Sequence, residues 1–305
     1  MRVAAIDQGT NTTRLLVADI DDGQLREVVR RTEITRLGEG VDERRRLLPL
    51  PVARVRNCLT AYRREAERLG AERTLLVATS AVRDAENGEA FLGEIEGSYG
   101  FSTRLLTGDE EAALMLRGVG TIEPGTLVLD IGGGSTELVM LDSRASIDVG
   151  SVRLTERFLR SDPPTDDELE ACAQHVRAQL PRLDAKDAVG VAGTITTLAA
   201  LDLGLDEYER ERVHGHRLSR EGLEHQLHRL AALPLAERRE VPALEPERAP
   251  VIVAGAVIAR EVLAGYGLDA MTVSEHDILD GIALAAAELP EPVEGDAPPG
   301  AYTCC

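Results

Sequence analysis

The chain has 305 residues, 43% of them apolar and only 3% aromatic, with no Trp. That length holds two domains of ordinary size with cores of Leu, Val, Ile and Ala, and it offers little for stacking on nucleobases. A formal net charge of -19 argues against general nucleic-acid binding. Any polyanionic substrate must therefore be met locally, by backbone N–H groups, arginines or metal ions.

Residues 3–20 read VAAIDQGTNTTRLLVADI. An apolar strand ends on Asp7, a turn of Gly9, Thr10, Asn11 and Thr12 follows, and a second apolar strand starts at Leu15. Asp21-Asp22-Gly23 then turns the chain into QLREVVRR. Val52, Val55, Leu59, Tyr62, Ala66 and Leu69 recur at helical spacing, and Gly70 stops that helix. A strand follows at 74–80, a helical start at AVRDAENG, and a further strand near 103–107. TGDEEAALMLRGV (107–119) is a helix with Thr107 or Asp109 as N-cap and acids in its first turn. Residues 120–126 form the clearest linker.

Residues 127–141, LVLDIGGGSTELVML, repeat the opening pattern. The strand ends on Asp130, a turn of Gly132, Gly133, Gly134 and Ser135 follows, and the chain returns through Glu137 into apolar residues. Glycines bring backbone N–H groups within reach of a ligand, and hydroxyls add donors. This composition suits a phosphate held by the loop and a divalent cation held by the carboxylate. A plain glycine hairpin with a solvated Asp is the competing reading, and a single copy leaves the two even. The second copy tips the balance. Spacing argues for a duplicated domain, with one phosphate hairpin from each copy facing the other across an interdomain cleft.

AVGVAGTITTLAA (188–200) reads as a strand, a Gly193-Thr194 turn and a helix start whose N-terminus is a third candidate anion site. Residues 205–250 are charged, helical and Pro-punctuated. The helix at 251–267 is apolar around most of its surface, hence buried. AMTVSE and DILDGIALAAAEL close the fold, and 290–305, with four prolines, reads as a disordered tail. The domain limits expected are 1–122, 123–289 and the tail, with the last helix free to pack back on the first domain. Cys58, Cys172, Cys304 and Cys305 show no ligand spacing, and the Cys304-Cys305 pair is more simply an inert tail than a redox or metal handle. No charged-then-apolar leader and no long uncharged apolar run is present, so a cytoplasmic protein with no membrane partner is expected.

Taken together, the two hairpins, TGDEEA, VAGTITT and TVSEHDILDG resemble the Ppx/GppA family, the exopolyphosphatases and guanosine pentaphosphate phosphohydrolases, over roughly residues 1–288. The resemblance implies an α/β fold of two ribonuclease-H-like domains from the actin/sugar-kinase/Hsp70 superfamily, in a short form without the C-terminal helical domain of longer members. The family's first loop, D-x-G-S-N-S, falls on Asp7, Gly9, Thr10, Asn11 and Thr12, with Thr replacing Ser twice. Its second, D-x-G-G-G-S-x-E, matches Asp130, Gly132, Gly133, Gly134, Ser135 and Glu137 unchanged. Its catalytic acid falls on Glu111, its S-G-T turn on Ala192, Gly193 and Thr194, and an arginine of its T-x-x-x-R stretch on Arg83. Many relatives carry an arginine before a Glu-Gly near the closing helix, where this chain has EHDILDG; no substrate contact is assigned there. His276-Asp277 tempts a metal-phosphohydrolase reading, but no second His-Asp step supports it.

The expected activity is hydrolysis of the terminal phosphoanhydride of inorganic polyphosphate, with short chains preferred. Glu111 activates water, Mg2+ (or Mn2+) is held by Asp7, Asp130 and Glu137, and phosphate is held by both loops with Gly193, Thr194 and Arg83. The alternatives are guanosine pentaphosphate as substrate, or a catalytically weak polyphosphate- or nucleotide-binding regulator. No nucleic-acid partner is expected, and a homodimer is left open.

Overall fold

A computed structural model describes residues 1–290. The tail expected at 290–305 lies, from residue 291 on, outside those residues, as does the Cys304-Cys305 pair. The described residues divide into two compact units: Met1–Gly120 with residues 278–290, and Thr121–Asp277. Each has its own apolar core.

The first unit contains, in chain order, β1 (Arg2–Gln8), β2 (Thr13–Asp21), β3 (Gln24–Glu33), α1 (Val41–Arg44), α2 (Pro49–Arg68), β4 (Arg73–Ala78), α3 (Ser80–Asp84), α4 (Gly88–Tyr99), β5 (Ser102–Leu105) and α5 (Gly108–Val119). Its sheet runs β3-β2-β1-β4-β5. The first three strands form an antiparallel meander, and β4 and β5 lie parallel to β1. Val3, Ala4, Ala5 and Ile6 of the central strand are all fully buried, as a strand covered on both faces requires.

The second unit contains β6 (Thr126–Ile131), β7 (Thr136–Val139), β8 (Arg144–Ile147), α6 (Ser151–Phe158), α7 (Asp166–Gln179), β9 (Asp187–Val191), α8 (Ala192–Asp202), α9 (Arg210–Val213), β10 (Arg217–Ser219), α10 (Arg220–Ala231), α11 (Leu235–Arg238), α12 (Ile252–Gly265) and β11 (Ala270–Val273). Its sheet order is β10-β11-β9-β6-β7-β8. Again an antiparallel meander, β6 to β8, is extended by parallel strands, β9 and β11. Both sheets thus have the ribonuclease-H-like arrangement. α12 is buried on nearly every side, as its composition requires.

α13 (Ile278–Ala286) returns to the first unit, where it packs on β1, β2, β4 and α5. Its buried Asp280 takes both carboxylate oxygens to Arg30 Nη2 at 3.0 Å. The expected turn at 193–194 is absent: β9 passes directly into α8 at Ala192, so Gly193 and Thr194 sit in a helical first turn. The backbone reverses there on a non-glycine residue, Ala192, at φ 63°. Among the described residues, no helix is long and apolar enough to cross a membrane.

Candidate active site

The two hairpins close alike. The amide of Gly9 donates to Thr12 O at 2.9 Å, and that of Gly132 donates to Ser135 O at 3.0 Å. Each turn is also held from behind by a following segment. At the first, Gly38 N donates to Thr10 O (2.8 Å) and Arg36 N to Asn11 O (2.9 Å). At the second, Ser151 N donates to Gly132 O (2.9 Å), and Val152 N and Arg153 N to Gly133 O (2.9 and 3.1 Å). The buried Arg153 adds Nε to Gly134 O at 2.7 Å. The first-turn amides of α6 thus hold the loop's carbonyls. Among the described residues, the amides of Gly133 and Gly134 donate to no protein acceptor. An amide pair fixed in this way is a ready anion site.

Both supporting segments approach through a glycine. A Cβ at Gly38 would lie 2.2 Å from Thr10 Cγ2 and 3.2 Å from Thr10 O. A Cβ at Gly150 would lie 2.4 Å from Gly133 O and 2.5 Å from Gly134 C. At Gly150 no side chain fits without moving the loop backbone, whereas at Gly38 the Thr10 side chain would have to give way.

Asp7 and Asp130 lie one residue before the ends of β1 and β6, where strand ends were expected, and both are buried. Asp7 stands directly opposite Arg14 in the β1–β2 register. Arg14 donates to Asp7 Oδ2 through Nη2 (2.6 Å) and Nε (3.0 Å). Asp130 stands directly opposite Glu137 in the β6–β7 register, on one face of the sheet. Glu137 is buried and accepts from Ser146 Oγ at 2.9 Å. Among the described residues, no group of three or more His, Cys, Asp or Glu side chains is gathered to hold a metal. A pair of carboxylates still fits Mg2+, which keeps several waters and binds through one or two carboxylates plus substrate phosphates.

Glu111 and Glu110 have different surroundings. Thr107 caps α5 and accepts from Glu110 N, while the Glu110 carboxylate accepts from Thr107 N at 2.8 Å. The Thr107 amide and hydroxyl hold the Glu110 carboxyl below the usual carboxylate range. Glu110 is therefore spent on the cap. Glu111, one residue on, is 5% exposed and accepts from Arg83 Nη1 at 2.8 Å. The same nitrogen donates to Leu106 O at 2.6 Å, so the guanidinium is anchored between the residue after β5 and the carboxylate of Glu111. Arg83, expected on phosphate, is thus brought to the carboxylate of Glu111.

Other expected phosphate ligands are engaged within the protein. Thr10 Oγ1 shares a 2.8 Å hydrogen bond with Ser80 Oγ, at the start of α3. Asn11 and Ser135 are buried, and Thr12 is half-buried. Thr194 Oγ1 donates to Ile131 O at 3.0 Å, tying α8 to the end of β6. Gly193 lies against Arg248, whose Nη1 falls 2.6 Å from where a Cβ would stand. Ser80, Arg153 and Gly150 carry no motif of their own, and sequence reasoning missed them. The glycine before SVRL was the one available signal.

In each unit the first strand carries a carboxylate just before a glycine-rich turn, and the first unit adds a buried glutamate held by an arginine, a composition found in enzymes that cleave phosphates. The profile of the Ppx/GppA phosphatase family matches residues 16–288, and the chain belongs to that family. It is a phosphoanhydride hydrolase. It is 41% identical over 314 residues to exopolyphosphatase 2 of Mycobacterium tuberculosis, covering 94% of this chain and 98% of that one. It is 29% identical over 298 residues to the guanosine-5'-triphosphate,3'-diphosphate pyrophosphatase of Vibrio vulnificus, covering 92% of this chain and 58% of that one. Among solved structures, an exopolyphosphatase-like protein superposes with a TM-score of 0.88 at 35% identity, covering 95% of this chain and all of that one. The Aquifex aeolicus PPX-GPPA enzyme superposes with a TM-score of 0.79 at 33% identity, covering 93% and 99%.

Proposed function

We propose that this chain is an exopolyphosphatase that hydrolyses the terminal phosphoanhydride of inorganic polyphosphate and releases orthophosphate. The observation that carries the reading is Glu111, buried at the start of α5 and aligned by Arg83, while its neighbour Glu110 is consumed by the cap. A base fixed by a charged partner is oriented for the proton it must take. The carboxylate of Glu111 accepts a proton from water as the water oxygen attacks the terminal phosphorus. The bond from that phosphorus to its bridging oxygen breaks, and the shortened chain leaves. Loop amides of Gly133 and Gly134, with hydroxyls of the hairpins, bind the phosphoryl oxygens and stabilise their charge. Asp130 and Glu137 would hold Mg2+, or Mn2+, which offsets phosphate charge when bound.

Short chains are preferred because a net charge of -19 offers a long polyanion little favourable surface. Guanosine pentaphosphate is the second substrate considered, supported by the likeness to the Vibrio vulnificus pyrophosphatase. Phosphate release is measured side by side from polyphosphates of several lengths and from guanosine pentaphosphate, with and without exhaustive chelation. The reading expects fastest release from short polyphosphates and none after chelation. Release that survives chelation contradicts the metal, and faster release from guanosine pentaphosphate reassigns the substrate.

A further inference from the structure

Gly281, the fourth residue of α13, has no room for a side chain. A Cβ there would lie 1.9 Å from Leu114 O and 3.2 Å from Leu114 Cα. The backbones of α13 and α5 therefore touch at Leu114, which follows Glu111 by three residues, less than one helical turn. α13 packs on β1, β2 and β4, and α5 packs on α13. Three arginines of the same unit pin α13 and the residues just after it. Arg30 of β3 holds both oxygens of the buried Asp280, the residue before Gly281. Arg73, the first residue of β4, donates from Nη1 to Ala287 O at 2.7 Å. Arg117 of α5 meets Glu288 through Nη1 (3.0 Å) and Nη2 (2.6 Å).

We infer that Gly281 is a positioning residue for Glu111. α13 is the fixed stop against which α5 rests, and the missing side chain sets how close α5, with its glutamate, comes to Arg83. This rests on Glu111 being the base. Arg83 takes its own place from elsewhere. Its Nη1 is anchored on Leu106 O, and the Leu106 amide donates to Ala78 O, at the end of β4, at 2.9 Å. The carboxylate and the guanidinium are thus placed by different parts of the unit, and their 2.8 Å contact holds only at one setting of α5. A methyl group at residue 281 needs about 3 Å from the Leu114 carbonyl oxygen, so it moves α5 by about 1 Å. A misplacement of about 1 Å costs on the order of 10²-fold in rate when it falls on a catalytic group.

The test is steady-state hydrolysis of polyphosphate by Gly281→Ala, well below its melting temperature. The expected result is a kcat lower by roughly 10–10²-fold with KM changed by less than about twofold. In the Glu111→Gln background the same substitution costs less than about threefold, because the group that it displaces no longer takes the proton. Equal losses in the two backgrounds would overturn the inference, since Gly281 would then act on something other than Glu111, and so would wild-type kcat in folded Gly281→Ala. Near wild-type kcat in Glu111→Gln alone sinks the base reading, and the inference with it.

Asp280→Asn serves if Gly281→Ala does not fold. It weakens the Arg30 anchor without adding bulk, lowers kcat several-fold at steady KM, and is again non-additive with Glu111→Gln; additive losses would overturn the inference. Val55→Ala supplies the control for stability. Val55 belongs to a core cluster to which neither α5 nor α13 contributes. Its truncation lowers the melting temperature and keeps kcat. A comparable fall in kcat there would show that lost stability, not alignment, lies behind Gly281, and would overturn the inference.

Discussion

Glu111→Gln separates chemistry from architecture. The variant keeps the side chain's length, and its amide oxygen can still accept from Arg83 Nη1, now 2.8 Å from the carboxylate. Arg83 also keeps its second anchor, Leu106 O. What changes in the fold is one charge-assisted hydrogen bond, worth about 1.5–3 kcal/mol, becoming a neutral one worth about 0.5–1.5 kcal/mol. The Arg83 side chain is 27% exposed, so water screens its charge and the cost lies near the low end, about 1 kcal/mol. That lowers the melting temperature by only about 2–4 °C. The chemistry loses much more. A general base contributes about 10²–10⁴ in rate, equivalent to about 2.7–5.4 kcal/mol of barrier. Single-turnover phosphate release gives the rate, and calorimetry on the slow variant gives substrate affinity. The expected result is a steep fall in kcat with affinity unchanged or slightly tighter, since one negative charge has left a polyphosphate site. Near wild-type kcat in a folded variant would refute the assignment and leave Glu111 as an ordinary first-turn acid.

Three further outcomes follow from the same geometry. Arg83→Met removes the group that aligns Glu111 but leaves the carboxylate, so kcat falls while KM changes little, and Arg83→Lys restores part of the rate; a rise in KM alone would return Arg83 to phosphate binding. Gly150→Ala drives a methyl group into the Gly133 and Gly134 backbone, so phosphate affinity, read by isothermal titration with orthophosphate, drops at least tenfold, whereas an unchanged affinity would mean that the loop does not carry the anion. Burial pushes the Cys58 and Cys172 thiols up to about 12. At pH 8 only about one in 10⁴ of each is thiolate, so both resist a thiol-specific disulfide reagent until the chain is unfolded, and rapid native labelling at either site would contradict their burial.

Much of this site was legible because its signal is local. Each hairpin packs an apolar strand, a carboxylate and a flexible turn into about ten residues, and the repeat made the pattern specific. The family resemblance singled out Glu111 over Glu110, and the fold adds the physical difference between them, a cap for Glu110 and Arg83 for Glu111. Arg83 was seen, yet its partner lies 28 residues away, so its contact could not be read from spacing. The Arg14–Asp7 pair was readable in principle, since a hairpin register fixes which residues oppose, but it required knowing where the turn closes. The helices that escaped notice have physical reasons. α4 carries Gly93 and Gly97 at exposed positions and is held by Phe91, Leu92 and Ile95 against the core. α6 has no side-chain N-cap because Gly150 must let the loop approach. That α13 packs back on the first unit was expected as an option, but its Asp280–Arg30 contact spans 250 residues and no local pattern encodes it.

The most direct test of the central claim is where solvent oxygen goes. Polyphosphate is turned over in ¹⁸O-labelled water, and the released orthophosphate and the shortened chain are analysed separately by mass spectrometry. Water attacking the terminal phosphorus under the control of Glu111 puts one solvent oxygen into each orthophosphate and none into the chain, and Glu111→Gln suppresses both release and label. Label in the shortened chain, or binding without any release by the wild type, would contradict the account.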